Sequence, residues 1–262
     1  MNLASSMKST ARKILGDDLV DKVRTYPRDV RTASIQRELP AKTIEAIKLV
    51  KQKRWTFLTD ARLARLAQAC MKTEHLDGAI VETGCALGGS SIVMAATKRP
   101  DRELHIYDVF GQIPPPSERD GTDCHDDYSR IASGNAKGIG THDTYYGYVE
   151  NLYDQVKSHF ETAGYRVDAN TVAMHRGLVE DTLKLTGPVR LAHIDVDWYD
   201  PVMLSLQRLE PLLPVGGVIQ LDDYFDYSGC IKATDDYFRD PPGGRRYARE
   251  TWTGALTLTR VS

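Results

Sequence analysis

Apolar positions in TDARLARLAQACMK, residues 59–72, fall at Leu63, Leu66, Ala67 and Cys70, a spacing that lines one face of a helix, and Thr59 or Asp60 is placed to cap its start. A weaker amphipathic stretch, KSTARKILGDDLVDKVRT at 8–25, is expected to pack against the main domain rather than to serve a partner. From Ala79 the period changes. Apolar runs of strand length, AIVET, ELHIYD, TVAMHRG, VRLAHIDVD and GVIQLDD, alternate with the helical stretches SSIVMAATK, YYGYVENLYDQVKSHFETAG, DPVMLSLQRLEPLL and GCIKATDDYF. Such alternation predicts an α/β fold, with a mostly parallel sheet covered on both faces. The final segment, RRYARETWTGALTLTRV, holds two strand-like runs too close together for a crossover helix. A hairpin with an antiparallel edge strand is expected there.

One stretch breaks the rhythm. Residues 111–140, GQIPPPSERDGTDCHDDYSRIASGNAKGIG, are rich in proline, glycine and charge, and far exceed an ordinary βα connection. They leave the carboxyl end of a parallel strand, where open α/β sheets bind ligands, so a lid is expected over about 111–141, with the next helix beginning near His142. The whole chain, 1–262, is expected to form one domain: an N-terminal helical cap over 1–76 and a core over 77–262 that carries the lid.

Charge and cysteines narrow the class. With 34 basic and 36 acidic residues the formal charge is −2, which offers no electrostatic basis for binding nucleic acid or an anionic membrane, so a small molecule is the expected partner. The cysteines, Cys70, Cys85, Cys124 and Cys230, are scattered without a CxxC pair, against both a disulfide framework and a zinc site. The first residues lack the apolar core of a signal peptide, and no run is long enough to span a bilayer. A cytoplasmic location is expected.

Candidate chemistry begins at IVETGCALGGSS, residues 80–91, a strand end followed by a glycine turn and a helix start. The dinucleotide fingerprint G-x-G-x-x-G is absent, and no Gly-Lys-Ser/Thr follows to make a P-loop. Glu82 would be poor company for a phosphate but suits an ammonium, while Gly84, Gly88 and Gly89 admit a bulky ligand, features that fit S-adenosylmethionine. Asp108 closes the next strand, where an acidic residue can hold a ribose diol. Taken singly, either acid could also be a plain strand-end cap.

A second cluster follows. Asp195 and Asp197 end one strand, Asp222 and Asp223 end the next, and a single helix joins the two, so the carboxylates should meet at adjoining strand ends. Their mutual repulsion would be relieved by a hard divalent cation, Mg²⁺ before Mn²⁺ or Ca²⁺. Separate solvated strand ends are the alternative, and Asp200, before Pro201, reads as a helix N-cap.

The segments IVETGCALGGSSIVMAA, VFGQIPPPSERDG, RGLVEDTL, HIDVDWYDPVMLSLQRLEPLLPVGGVIQLDDY and GCIKATDDYF, in this order from about residue 56 to 240, resemble the macrocin O-methyltransferase family. These are metal- and S-adenosylmethionine-dependent enzymes that methylate sugar hydroxyls. The resemblance implies a Rossmann-like methyltransferase fold, bound Mg²⁺ and a homo-oligomer, taken as a dimer. It assigns Glu82, Gly84 and Ser90 to the methionine end of S-adenosylmethionine, Asp108 to the ribose, and Asp195, Asp222 and Asp223 to the metal. Asp197 matches a residue proposed as general base, although some relatives use a histidine. The acceptor it implies is a sugar hydroxyl, with the 1-OH of a (3-O-methyl)mannoside in methylmannose polysaccharide synthesis as the finer expectation. The chain departs from the family in Trp198 and in the TDCHDDYSRIASGNAKGIGTHD stretch, which leaves acceptor and base open.

For the base, His142 stands at the exit of the lid, where Thr141 can cap the following helix, and an imidazole has the better ordinary pKa for neutral-pH work. Asp197 is the alternative beside the metal; His125 is a rival in the lid, and His193, mid-strand, reads as buried structure. Trp198, Tyr199, Tyr224, Phe225 and Tyr227 follow the acidic strand ends and suit a pyranose ring, or equally a phenol. A catechol-type O-methyltransferase therefore stays open. A Rossmann oxidoreductase or a non-catalytic nucleoside-binding protein is the reading from another class.

Overall fold

The computed structural model describes residues 30–140, 142–167, 171–251 and 253–262, so the 8–25 stretch and the cap expected at Thr141 lie outside the described residues. Helices α1 (Ala41–Gln52) and α2 (Asp60–Lys72) precede the first strand. Thr59 caps α2 by accepting the Arg62 amide at 3.3 Å, and Leu63, Leu66, Ala67 and Cys70 are all buried as the spacing requires. Both helices pack on α3 (Gly89–Thr97). That helix is buried along its whole length, which accounts for the nearly all-round apolar and small character of GSSIVMAAT.

Among the described residues seven strands form one sheet: β1 (Ala79–Thr83), β2 (Leu104–Asp108), β3 (Val172–Arg176), β4 (Val189–Ile194), β5 (Val218–Leu221), β6 (Tyr247–Glu250) and β7 (Leu256–Arg260). Their order is β3-β2-β1-β4-β5-β7-β6. The first five are parallel, β7 runs antiparallel to β5, and β6 returns along β7, so the expected edge hairpin is present. β1 and β4 are buried at every position, because helices cover both faces and leave no solvent side for polar alternation. Ile80, Ile106 and Leu191 face a core shared with α1 to α3 and with α5 (Leu152–Thr162). Val81, Ala192 and Ile219 face the opposite core, made with α7 (Tyr199–Leu209) and α8 (Ser228–Phe238).

The 111–141 stretch contains α4 (Thr122–Ala132), whose only buried side chains, Cys124 and Ile131, make a stripe too narrow to read in so polar a segment. Two local expectations are corrected. The helix expected near His142 begins at Leu152, after a short 3₁₀ turn at Tyr146–Tyr148. Asp200 is not an N-cap. It sits inside the first turn of α7, and the capping acceptor comes from Asp120, whose Oδ1 receives the Tyr199 amide at 2.7 Å. Among the described residues no helix is long and apolar enough to cross a membrane.

Candidate active site

The chain runs outward from β1 to β2 and β3, then returns to place β4 on the other side of β1. Ligands of open α/β sheets bind at the carboxyl end of such a switch point. Here the loops leaving β1 and β4 touch: Gly84 has φ +80°, and a Cβ built on it would lie 1.8 Å from the Asp195 carbonyl oxygen. Only glycine fits that crossing. Ala86, Phe110 and Asp197, after β1, β2 and β4, also hold positive φ without being glycine, so backbone strain gathers at these strand ends.

Two adjoining cavities open there. The smaller, about 180 Å³, lies between the end of β2 and the Gly177–Glu180 stretch that leads into the short α6 (Val179–Thr182), with Ile113, Pro114, Leu178 and Val179 among its apolar walls. The larger, about 470 Å³, is lined by Gly84, Ser90 and Asp108 and by Asp195, Asp197, Asp222 and Asp223. Seven of the sequence-predicted site residues therefore share one cavity.

Two do not line it. Glu82 is fully buried beneath the site, where Ser91 Oγ donates to Oε2 and His193 Nδ1 lies 2.9 Å from Oε1. His142 is exposed at the tip of a turn in which the Asp143 carboxylate accepts from Arg54 and from the Gly140 amide. His125 is exposed as well, whereas His193 is buried structure. Asp108 is buried and already receives the amides of Cys85, Ala86 and Phe110 at 2.7, 3.2 and 2.6 Å, so it ties down the glycine turn and keeps room for about one further donor.

The acidic cluster is tight. One carboxylate oxygen from each of Asp195, Asp222 and Asp223 lies within 4.8 Å of the others, and among the described residues Asp222 Oδ1 is buried without a partner. Burial, then the neighbouring carboxylates, pushes Asp195 and Asp197 well above the ordinary carboxylate range and raises Asp223 to about 7. Burial raises Asp222 too, although the Arg62 guanidinium pulls against it. An all-oxygen donor set with an orphaned buried oxygen fits a hard divalent cation.

Several lining residues escaped the sequence reading. Arg62, in the first turn of α2, donates Nη1 to Asp222 Oδ2 at 2.8 Å. Its signal is faint: a cation at the positive end of a helix dipole is out of place unless an anion faces it. From α4, Asp127 accepts the Tyr227 hydroxyl at 2.8 Å and pairs with Arg130. Trp198 and Tyr227 line the cavity edge-to-face at 5.1 Å, as the sequence foresaw, and Tyr145 and Tyr146 join them. Tyr199, Tyr224 and Phe225 lie outside it; Tyr199 is buried, with Lys232 Nζ 4.3 Å from its ring centre.

The macrocin-O-methyltransferase (TylF) family model matches residues 50–242, a span that takes in both cavities and every acidic strand end. The chain belongs to the macrocin O-methyltransferase family. Among curated relatives it is 32% identical over 181 residues to the 8-demethyl-8-(2,3-dimethoxy-alpha-L-rhamnosyl)-tetracenomycin-C 4'-O-methyltransferase of Streptomyces olivaceus, covering 65% of this chain and 62% of that one. It is 28% identical over 170 residues to the demethyldecarbamoylnovobiocin O-methyltransferase of Streptomyces niveus, covering 62% and 59%. The match thus spans about three fifths of the length of these relatives. Of solved structures, the O-methyltransferase NovP superposes with a TM-score of 0.60 over 77% of this chain and 80% of its own, at 22% identity, a likeness of fold. For a member of the macrocin O-methyltransferase family, the Rossmann-like architecture with its antiparallel edge is the expected one.

Proposed function

We propose that the protein is an S-adenosylmethionine-dependent, Mg²⁺-assisted O-methyltransferase acting on a sugar hydroxyl of a small molecule. The observation that carries this reading is the single cavity lined both by the glycine turn after β1 and by Asp195, Asp197, Asp222 and Asp223, three of which bring carboxylate oxygens within 4.8 Å of one another. S-adenosylmethionine would supply an electrophilic methyl group, and a divalent cation held by the three aspartates would acidify and orient the acceptor hydroxyl. Gly84 and Ser90 border the space for the methionine end, and the remaining acceptor capacity of Asp108 suits a ribose hydroxyl. The smaller cavity, with Ile113, Pro114, Leu178 and Val179 in its walls, offers an apolar setting for the purine. Glu82 acts indirectly, by holding Ser91 next to Ser90.

Asp197 is the group we assign as proton acceptor. Burial and the neighbouring carboxylates raise its proton affinity well above that of an ordinary carboxylate, and it lines the cavity beside the three clustered aspartates. His142, exposed outside the cavity lining, is the weaker candidate. Tyr145, Tyr146, Trp198 and Tyr227 give flat apolar faces for a pyranose, with the Asp127 and Arg130 pair able to read its hydroxyls. The rhamnosyl substrate in the name of the 32%-identical relative supports a sugar over a catechol. A (3-O-methyl)mannoside 1-OH is the finer form of this proposal, the family resemblance adds a homo-oligomer, taken as a dimer, and the four scattered cysteines support a reducing cytoplasm. The near-neutral charge balance supports a reading without nucleic-acid or membrane partners.

The test is methyl transfer from S-adenosylmethionine to a panel of mannosides, rhamnosides and catechols, with Mg²⁺ and with EDTA. Sugar products formed only with Mg²⁺ are expected. Preference for catechols would overturn the acceptor class, and full turnover in EDTA would overturn the metal.

A further inference from the structure

We propose that Arg62 is a positioning residue for the acidic cluster: it grips Asp222 by Oδ2 so that Oδ1 is presented to a divalent cation shared with Asp195 and Asp223. This rests on the metal reading above and adds a residue from outside the strand-end motifs. The guanidinium is pinned from three directions. Nη1 donates to Asp222 Oδ2 at 2.8 Å, while Nη2 donates to Asp226 Oδ2 at 2.6 Å and to the Gly254 carbonyl at 3.0 Å. Three separated stretches meet on it: the first turn of α2, the turn after β5, and the loop before β7. A planar fork held at both ends cannot swing, so the carboxylate it grips loses rotational freedom before any ligand arrives.

The free oxygen is the second observation. Among the described residues Asp222 Oδ1 is buried and has no partner, while Oδ2 accepts from Arg62. A buried acceptor left unpaired is costly unless something fills the place it faces. Charge neutralisation alone would not need this arrangement. A fixed cation in contact with a ligand carboxylate repels an incoming divalent ion, so a purely electrostatic Arg62 would weaken metal binding, whereas a positioning Arg62 strengthens it. The two roles predict opposite signs.

The experiment is calorimetric titration of the metal-stripped full chain with Mn²⁺, alongside S-adenosylhomocysteine affinity on the same samples, for wild type, Arg62→Met and Arg62→Lys. Wild type should bind Mn²⁺. Arg62→Met should bind it about 10- to 100-fold more weakly, the usual scale for losing a partner behind a metal ligand. S-adenosylhomocysteine affinity should be unchanged. Arg62→Lys, which keeps the charge but not the fork, should also bind Mn²⁺ more weakly than wild type. Unchanged or tighter Mn²⁺ binding in Arg62→Met overturns the proposal. Should Arg62→Met lose both ligands through misfolding, Arg62→Lys decides, and wild-type Mn²⁺ affinity in that variant overturns it equally. A wild-type protein that takes up no Mn²⁺ would instead sink the metal reading itself.

Discussion

Glu82 Oε1 lies 2.9 Å from His193 Nδ1 across β1 and β4, with both side chains completely buried. Burial pulls the imidazole down, but the Glu82 carboxylate outweighs it and His193 titrates above its ordinary value. With Ser91 on the other oxygen, the acid of the glycine turn is a structural tie between two central strands and α3. Removing it leaves a buried partner without compensation. Glu82→Ala should lose about 3–5 kcal/mol of stability, measured by urea unfolding. Glu82→Gln, which still accepts from the imidazole, should lose less. Equal losses in the two variants would show that the hydrogen bond is not what matters.

Asp197 and His142 are separated by their surroundings rather than by their chemistry. His142→Ala should retain near-wild-type turnover, because the side chain is exposed and is not among the residues that line the cavity. Asp197→Asn should lower single-turnover rates by about 10²- to 10⁴-fold, the range for a general base, at saturating cofactor and Mg²⁺. A collapse in the histidine variant with normal chemistry in Asp197→Asn would reverse the assignment.

The strands were legible because buried parallel strands read as short apolar runs, and the paired acids because adjacent parallel strands bring their carboxyl ends together. Gly84 was legible as a turn, though its collision partner, the Asp195 carbonyl, required the fold. Arg62 was not legible: its partners Asp222 and Asp226 lie 160 and 164 positions away. Nor was the surface position of His142, since nothing local in GIGTHD marks a turn that faces outward. The proline, glycine and charge around α4 masked a helix that buries only Cys124 and Ile131.

Stability should depend on pH through the acidic cluster. Asp223 titrates near 7 in the fold, and Asp195 and Asp197 well above the ordinary value, each chiefly through burial. The unfolded chain releases those protons near pH ~4, so between that point and the folded values the native state holds more protons and stability falls as pH rises. The metal-free protein should therefore melt at a progressively lower temperature from about pH 5 to pH 8. Mg²⁺ should flatten or reverse the slope, since a cation bound only by the native state stabilises it by mass action and competes with those protons. Thermal melts with EDTA and with Mg²⁺ across this range check the sign. A metal-free melting temperature that rises over the window would remove the cluster as its main determinant.

The stretch around α4 should be held down by its own carboxylates. Asp120 Oδ1 accepts the Tyr199 amide at the start of α7, and Asp123 Oδ2 accepts the Ser228 amide at the start of α8 at 2.8 Å. The N-cap residues of those helices, Trp198 and Tyr227, make no side-chain cap, so both depend on acceptors donated from 111–140. Trp198 adds a third tie by donating Nε1 to the Pro114 carbonyl at 2.9 Å. Because α7 and α8 follow the loops that carry Asp195 to Asp197 and Asp222 to Asp223, these contacts tie the stretch to the helices next to the acidic cluster. Asp120→Ala should cost about 0.5–2 kcal/mol, the scale of a lost cap. It should also speed tryptic cleavage at Arg119 and Arg130, both exposed, by letting the stretch open without global unfolding. Asp120→Asn keeps an accepting oxygen and should be cut at close to the wild-type rate. If Asp120→Ala were no more readily cleaved than wild type, the cap would be incidental and the apolar contacts of Cys124 and Ile131 would be what holds the stretch in place.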